Sequence, residues 1–169
     1  MKSSYPIIFS FAALLSIIAC GRVTFNMSGA SVAPAKTCKV EFFENRAEIV
    51  NPGLSAQITD ALKDKIQSNT SLSLVTGNAD VLFEGEITGY NVQPQNVTVA
   101  GVAAKDRLTV TVKVKFTNEV KPENSFEKSF SRFDEFTSGT SLTSVESQLV
   151  ETILEQLMDD IFNAAFSTW

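Results

Sequence analysis

The sequence predicts an α+β fold in which two helices pack on one face of a mostly antiparallel, roughly four-stranded sheet. Two segments repeat apolar residues at helical spacing, and the segments between them alternate apolar and polar residues as strands do. The order along the chain is strand, helix, several strands, helix, which is typical of a two-layer sandwich. Because 169 residues suffice for one such core, we expect a single domain over residues 37–169.

The first 36 residues have the composition of a targeting segment and a linker. An apolar run from Ile7 to Ile18 follows a short N-terminus that carries Lys2. A helix of about a dozen residues spans ~18 Å and falls short of the ~30 Å hydrocarbon core, which favours a secretory signal over a transmembrane span. We expect a signal peptide over residues 1–19. A lipidated N-terminus and a flexible tether follow over residues 20–36.

The end of the apolar run, Ile17-Ile18-Ala19-Cys20, resembles a bacterial lipobox. In signals of that kind the peptidase cuts before the cysteine, whose thiol carries diacylglycerol, so Cys20 is the expected lipid attachment site. An unmodified thiol is the alternative. Two or three acyl chains hold a soluble domain on a membrane almost permanently. By analogy with lipoprotein sorting signals, the lack of an aspartate beside Cys20 favours the outer membrane, with the domain on its periplasmic face.

A strand and a helix open the predicted domain. Residues 38–43 alternate as a strand, and Cys38 lies on its apolar side as an expected buried thiol. Asn51-Pro52 then begins a helix. Its apolar residues recur every four positions, at Leu54, Ile58, Leu62 and Ile66.

The next two segments resemble a pair of strands. Residues 71–75 and 79–90 are predicted to form a hairpin around Thr76-Gly77-Asn78. Within the second strand, Gly85 and Gly89 are expected to mark bends or the close approach of a neighbour. This hairpin would add two antiparallel strands to the sheet.

The second half of the domain begins with a predicted loop over residues 91–104. Residues 107–116 then form the clearest strand, with one apolar face and one polar face. A turn over residues 118–124 leads into another strand over residues 125–133. Thr143-Ser144-Val145-Glu146 predicts a capping box at the start of the long closing helix. The aromatic end of that helix is expected to pack in the core or against a partner.

Composition excludes several classes of function. The formal net charge of −5 argues against a nucleic-acid partner. The chain has no histidine and two cysteines, so histidine triads, histidine metal ligands and four-thiolate sites are excluded. Neither a phosphate-binding glycine loop nor a nucleophile elbow occurs in the sequence. We therefore expect no cofactor, and much catalysis is excluded.

Five cations form a candidate anion-binding surface. Arg107, Lys113 and Lys115 project from one face of the clearest strand, and Lys128 and Arg132 would lie close to them if the next strand pairs as a hairpin. Arginine suits phosphate because it offers paired donors. The alternative is an exposed strand that its charges keep from aggregating.

One carboxylate pair leaves an enzymatic alternative open. Glu84 and Glu86 share a strand face at a spacing that a glycosidase could use. A solvated strand face produces the same pattern. A lipid-anchored envelope glycan hydrolase is therefore the less favoured hypothesis.

Several blocks of the chain resemble the lipopolysaccharide-assembly lipoprotein (LptE) family, in a branch outside the enterobacteria. The most specific block is Phe83-Glu84-Gly85-Glu86-Ile87-Thr88-Gly89-Tyr90. The other blocks that carry the resemblance are the lipobox through Cys20, Phe25 to Ala30, Val50 to Ser55, Arg107 to Val110, Ser129 to Phe133, and the last helix with Met158 to Asn163.

The resemblance implies a small outer-membrane lipoprotein that sits as a plug inside a large β-barrel (LptD) and helps that barrel assemble. It also implies a part in delivering lipopolysaccharide to the outer leaflet, without catalysis. The expected partners are the barrel, lipopolysaccharide and the membrane that holds the lipid anchor. The candidate cations would then contact lipid A phosphates or the barrel. A lipoprotein that serves a different barrel or a small ligand is the alternative.

Overall fold

The computed structural model describes residues 32, 34–49, 51–95 and 104–167. The predicted signal peptide, the predicted lipid attachment site at Cys20, most of the predicted tether and the C-terminal Trp169 lie outside these residues. No helix within the described ranges is long and apolar enough to cross a membrane.

The described residues form two helices and one mixed sheet, which confirms the predicted α+β class. The helices are α1 (Leu54–Asn69) and α2 (Leu142–Phe166), and a short 3-10 turn covers Pro122–Asn124. The six strands are β1 (Thr37–Val40), β2 (Glu44–Asn45), β3 (Ser73–Leu74), β4 (Val81–Gln95), β5 (Lys105–Asn118) and β6 (Phe126–Thr137).

The sheet is larger and less antiparallel than predicted. Its strand order is β3-β1-β4-β5-β6, and β2 pairs with β4 beyond the end of β1. The β1 strand runs parallel to β3 and β4, and β2 also runs parallel to β4. The β4–β5 and β5–β6 pairs are antiparallel. The expectation of a mostly antiparallel, roughly four-stranded sheet is confirmed only in part. The two long ladders are antiparallel, but the short strands pair in parallel because α1 is a crossover connection, which returns the chain to the sheet in the direction of β1.

The predicted hairpin between residues 71–75 and 79–90 does not form, because β3 and β4 lie on opposite sides of β1. Asp80 secures this arrangement through its side chain. Its Oδ2 accepts hydrogen bonds from the backbone N–H groups of Lys36 at 2.7 Å and Thr37 at 2.9 Å. These bonds hold the pKa of the Asp80 carboxyl below its usual value and tie the start of β4 to the start of β1.

The limits of the remaining strands also differ from the prediction. The β4 strand continues to Gln95, so it includes the first five residues of the predicted loop over 91–104. Most of the rest of that loop lies outside the described residues. The β6 strand continues to Thr137, four residues past its predicted end. Polar residues at these positions remain in strands because antiparallel neighbours satisfy their backbone groups.

The core lies between the sheet and the two helices. Cys38 is fully buried, as predicted, and burial raises the pKa of its thiol to about 12. The ring of Phe83 lies 4.8 Å from that of Phe116, and both contact the ring of Phe166 near 6 Å. The aromatic end of α2 therefore packs in the core at Phe166. The helices also bury their predicted apolar stripes, which include Leu54, Ile58, Leu62, Ile66, Leu149, Ile153, Leu157 and Ile161.

The start of α2 differs from the predicted capping box. The helix begins after Ser141, and that residue makes no side-chain capping bond. Glu146 does not return to the backbone; its Oε1 accepts hydrogen bonds from the Tyr90 hydroxyl and from Asn51 Nδ2, the latter at 2.8 Å. Burial and the Glu146 carboxylate together raise the pKa of Tyr90 to about 12. The carboxylate thus joins β4, the segment before α1 and the first turn of α2.

Both glycines singled out in β4 lie where a side chain would disturb the sheet. A Cβ at Gly85 would lie 2.3 Å from Cε1 of the buried Phe43 and 2.8 Å from the carbonyl oxygen of Lys113. Gly89 follows a bulge, at which the register with β5 shifts. Because the bulge takes up one extra residue, Tyr90 faces the helices.

Candidate functional site

The sheet face opposite the helices carries the candidate site, and we call it the open face. Along β5 the buried residues alternate with residues that the solvent reaches, so one row packs under the helices and the other lies on the open face. The antiparallel register extends the second row across β4 and β6. Its charged members on β4, β5 and β6 are Glu84, Glu86, Lys105, Arg107, Lys113, Lys115, Glu127 and Glu135.

Lys113 and Lys115 lie on the open face, as predicted, and each has a carboxylate partner. Lys113 Nζ lies 2.5 Å from a Glu127 oxygen, and Lys115 Nζ lies 2.8 Å from a Glu84 oxygen. The hydrogen bond and charge of each carboxylate raise the pKa of its lysine, and Lys113 in turn lowers the pKa of Glu127. These cations are therefore neutralised locally.

Arg107 occupies the other end of the open face and is also paired. Its Nη2 lies 2.6 Å from Glu135 Oε1, and Lys105 Nζ lies 3.2 Å from the second Glu135 oxygen. The hydrogen bonds from Arg107 and Lys105 lower the pKa of Glu135. The guanidinium of Arg107 also stacks 3.8 Å from the ring centroid of Phe133, which is 46% exposed. An arginine, a carboxylate and an accessible aromatic ring are thus held together.

Lys128 and Arg132 do not join this group, which corrects the expectation that they lie close to it. They pair across the ladder with Val114 and Val110, whose side chains are buried under the helices. Residues paired across an antiparallel ladder project to the same face. The structure therefore places three of the five candidate cations on one face, with Arg107 at the opposite end from Lys113 and Lys115, and places the other two on the helix side of β6.

The two separated cations have different surroundings. Arg132 donates two hydrogen bonds to Asp160 of α2, at 2.6 and 2.7 Å, and this pairing raises its pKa above the usual value. Lys128 Nζ lies 5.2 Å from the ring centroid of Phe126. Within the described part of the chain, Lys128 forms no ion pair.

The carboxylate pair considered for hydrolysis lies in a shallow depression of about 320 Å³ on the open face. Glu84 holds Lys115, and Glu86 Oε2 lies 3.2 Å from Arg46 Nε. Both carboxylates are thus engaged by cations in one surface network. Among the described residues, no group of three or more metal-ligating side chains could hold a metal ion.

The sequence reasoning missed the acidic partners Glu127 and Glu135, and it missed the pairing of Glu84 with Lys115. Arg107 and Glu135 are direct partners across the β5–β6 ladder, and Glu84 and Lys115 are direct partners across β4–β5. Opposite charges at facing positions stabilise a sheet. These ion pairs can be predicted only when the register of each strand pair is known. Alternation within a single strand does not give that register.

The family of the chain follows from a comparison with family models. The LptE model, described as lipopolysaccharide-assembly, matches residues 35–165. The chain belongs to the LptE family. The match covers nearly all of the described domain, including every strand, all of α1 and all of α2 except its last residue. No protein of curated function matches this LptE-family chain in sequence.

The chain is similar to several solved structures at low sequence identity. Hypothetical protein CT253 from Chlamydia trachomatis superposes with a TM-score of 0.56 at 9% identity, over 78% of this chain and 98% of that one. The minor lipoprotein from Acinetobacter baumannii gives a TM-score of 0.47 at 14% identity, over 79% and 92%. Uncharacterized lipoprotein B from Nitrosomonas europaea gives 0.48 at 14%, over 80% and 86%.

Proposed function

We propose that this chain is an outer-membrane lipoprotein that plugs a large β-barrel translocon of the LptD type. It helps the barrel assemble and assists the delivery of lipopolysaccharide to the outer leaflet. The observation that carries the proposal is the family match over residues 35–165. The lipobox that ends at Cys20 supports the lipid anchor. The anchor places the domain at the periplasmic face of the outer membrane.

The open face is the surface proposed to meet the barrel wall. Among the described residues no helix covers it, and its charges are already arranged in cation–carboxylate pairs such as Lys113 with Glu127. The interior of an outer-membrane barrel is polar. A surface of paired donors and acceptors can exchange hydrogen bonds with such a wall without burying an unpaired charge.

Arg107, Lys113 and Lys115 are proposed to bind the phosphates of lipid A. Each cation already has a carboxylate, so a phosphate must replace the oxygens of Glu135, Glu127 or Glu84. Phosphate offers more acceptor oxygens and more negative charge than one carboxylate, which favours the exchange. Binding therefore exchanges the carboxylate partner of each cation for a phosphate, and the released glutamates can accept hydrogen bonds from donors of the barrel.

The decisive experiment isolates the tagged full chain from detergent-solubilised outer membranes and identifies what co-purifies in near-equal amount. Recovery of an LptD-like barrel supports the plug function. Recovery of a different barrel would mean that the chain belongs to another assembly. Recovery of no barrel would contradict the proposal. A Cys20→Ala variant tests the anchor in parallel, because it should leave the outer-membrane fraction if Cys20 carries the lipid.

The lipopolysaccharide contact is tested separately, by binding of the purified chain to labelled lipopolysaccharide. Reversing Arg107, Lys113 and Lys115 to glutamate should abolish binding. Lys63→Glu changes charge on α1, away from the open face, and should leave binding unchanged. If the triple variant binds lipopolysaccharide like the unaltered chain, these cations are not the phosphate contacts. The proposed partnership with the barrel is then tested by the isolation experiment alone.

A further inference from the structure

The two edges of the sheet are built very differently. The edge at β3 is two residues long, whereas the edge at β6 runs for twelve residues from Phe126 to Thr137. Natural sheets protect an edge by keeping it short, by proline, by a bulge or by charged side chains, and of these devices β6 has charged side chains such as Lys128. The β6 strand contains no proline, and its ladder with β5 has no register shift. Among the described residues, no strand pairs with its outer side.

The hydrogen-bonding pattern between β5 and β6 shows which backbone groups of β6 point away from the sheet. Ser138 N–H donates to the carbonyl of Ala104 at 2.9 Å, so the even-numbered residues of β6 bond toward β5. The odd-numbered residues therefore direct their N–H and C=O groups away from the sheet. The Glu135 N–H is taken by Asp134 Oδ1 at 2.8 Å. The accessible stretch runs from Glu127 to Phe133, about 23 Å of strand.

The side chains along this stretch specify what would pair with it. On the helix side, Lys128 has no carboxylate partner among the described residues and stands between Phe126 and Phe130 in the same row. Both rings are partly buried against the core. On the open face, Phe133 is 46% exposed. A strand added here would place an acidic residue opposite Lys128 and apolar residues two positions away on either side.

We propose that the outer edge of β6 binds an extended polypeptide segment by β-strand addition, and that the segment carries an apolar–acidic–apolar row facing Lys128. Main-chain hydrogen bonds from Glu127, Ser129, Ser131 and Phe133 supply the affinity, and Lys128 with its flanking rings supplies the selectivity. This surface lies beside the open face and does not depend on the function proposed above.

The test uses the full chain and a synthetic peptide, acetyl-Thr-Val-Thr-Glu-Thr-Val-Thr-amide, with a control peptide that has lysine in place of glutamate. Amide hydrogen exchange is followed at Glu127, Ser129, Ser131 and Phe133. These amides should exchange quickly in the free chain and become protected by the glutamate peptide. The lysine peptide should bind roughly tenfold more weakly, because it places a like charge opposite Lys128.

Two variants make the test specific. Lys128→Glu should reverse the preference between the two peptides, while Lys63→Glu, the same charge change on α1, should not alter it. Ser131→Pro removes the central outward donor and leaves the backbone bonds to β5 in place, and it should abolish protection by the glutamate peptide. Ser131→Ala is its control, because both variants lose the bond between Ser131 Oγ and Thr111 Oγ1 at 3.0 Å, and the alanine variant should keep the protection. Reversal by Lys128→Glu is sufficient support even if the proline variant folds poorly.

Three results would overturn the proposal. Protection of these amides in the free chain at every concentration would mean that another part of the chain covers the edge. Protection that grows with protein concentration would mean that a second copy does. Absence of protection by either peptide at millimolar concentration would mean that the edge does not accept a strand.

Discussion

Replacing Gly85 with alanine should destabilise the domain through a single added methyl group. Its Cβ would lie 2.3 Å from Cε1 and 2.8 Å from Cδ1 of Phe43, and 2.8 Å from the Lys113 carbonyl oxygen. Phe43 is fully buried, and the carbonyl belongs to β5 in the middle of the sheet. Neither neighbour can move without displacing packed atoms.

The size of the effect follows from two opposing contributions. Forcing an extra methyl into a packed core costs about 1–3 kcal/mol, and two close contacts place this site near the upper end. Removing a glycine also restricts the unfolded chain, which returns about 0.4–1 kcal/mol. The expected loss in the free energy of unfolding is about 2 kcal/mol, which corresponds to a fall in Tm of roughly 6–8 °C in a domain of this size.

Urea unfolding followed by circular dichroism measures this loss in the full chain. Gly77→Ala is the matched control, because a Cβ at Gly77 meets nothing within 4 Å; it should change stability by no more than about 0.5 kcal/mol. In a Phe43→Ala background, the added cost of Gly85→Ala should fall, since only the contact with the Lys113 carbonyl remains. If Gly85→Ala matches Gly77→Ala, the close approach of Phe43 does not constrain this strand.

Three further predictions concern titration, hydrogen bonding and thiol chemistry. The pKa of Asp80 is lowered on folding from its ordinary 3.8, so its stabilising effect is present above that pH and is lost as pH falls further; the Tm gap between the unaltered chain and Asp80→Asn should be widest at neutral pH and narrow in acid. Tyr90→Phe removes the hydroxyl bond to Glu146 and should lower the free energy of unfolding by about 1–2 kcal/mol in a urea titration. The Cys38 thiol is buried with its pKa raised to about 12, so in a Cys20→Ala variant a thiol reagent at pH 8 should label it in urea but not in buffer; rapid labelling in buffer would contradict this.

The helices and the central strand could be predicted because their patterns are complete within one segment. The four-residue spacing from Leu54 to Ile66 and the alternation from Leu108 to Phe116 each identify a buried row that the structure confirms. Burial of Cys38 follows from the same alternation. Periodicity predicts these elements correctly because burial in the core alone determines which of their positions are apolar.

The β3–β4 connection could not be predicted because two distant segments decide it. A turn sequence between two apolar runs is typical of a hairpin, yet the Asp80 carboxylate binds N–H groups of Lys36 and Thr37, more than forty positions earlier in the chain. Such a contact leaves no local signal. It outweighs the turn propensity and separates the two strands.

The candidate site was predictable in composition but not in its pairing. Alternation correctly placed Arg107, Lys113 and Lys115 on one face, while the position of Arg132 required knowing that its strand lies at the sheet edge. From there its long side chain passes along the apolar surface to reach Asp160 on α2. An edge strand can therefore carry charges on its core side, which a pattern based on alternation alone does not anticipate.

The bulge before Gly89 divides β4 into two halves of opposite phase. From Val81 to Ile87 the odd-numbered residues face the helices, whereas Tyr90 and Val92 do so afterwards. Deleting Thr88, the extra residue of the bulge, would leave Ile87 and Tyr90 two positions apart, so a regular strand would keep both on the helix side. A one-residue deletion within the distal half, such as loss of Asn91, would instead turn the residues beyond it over and move Val92 to the open face. The bulge is thus the position at which β4 can change its length without changing which of its side chains reach the core.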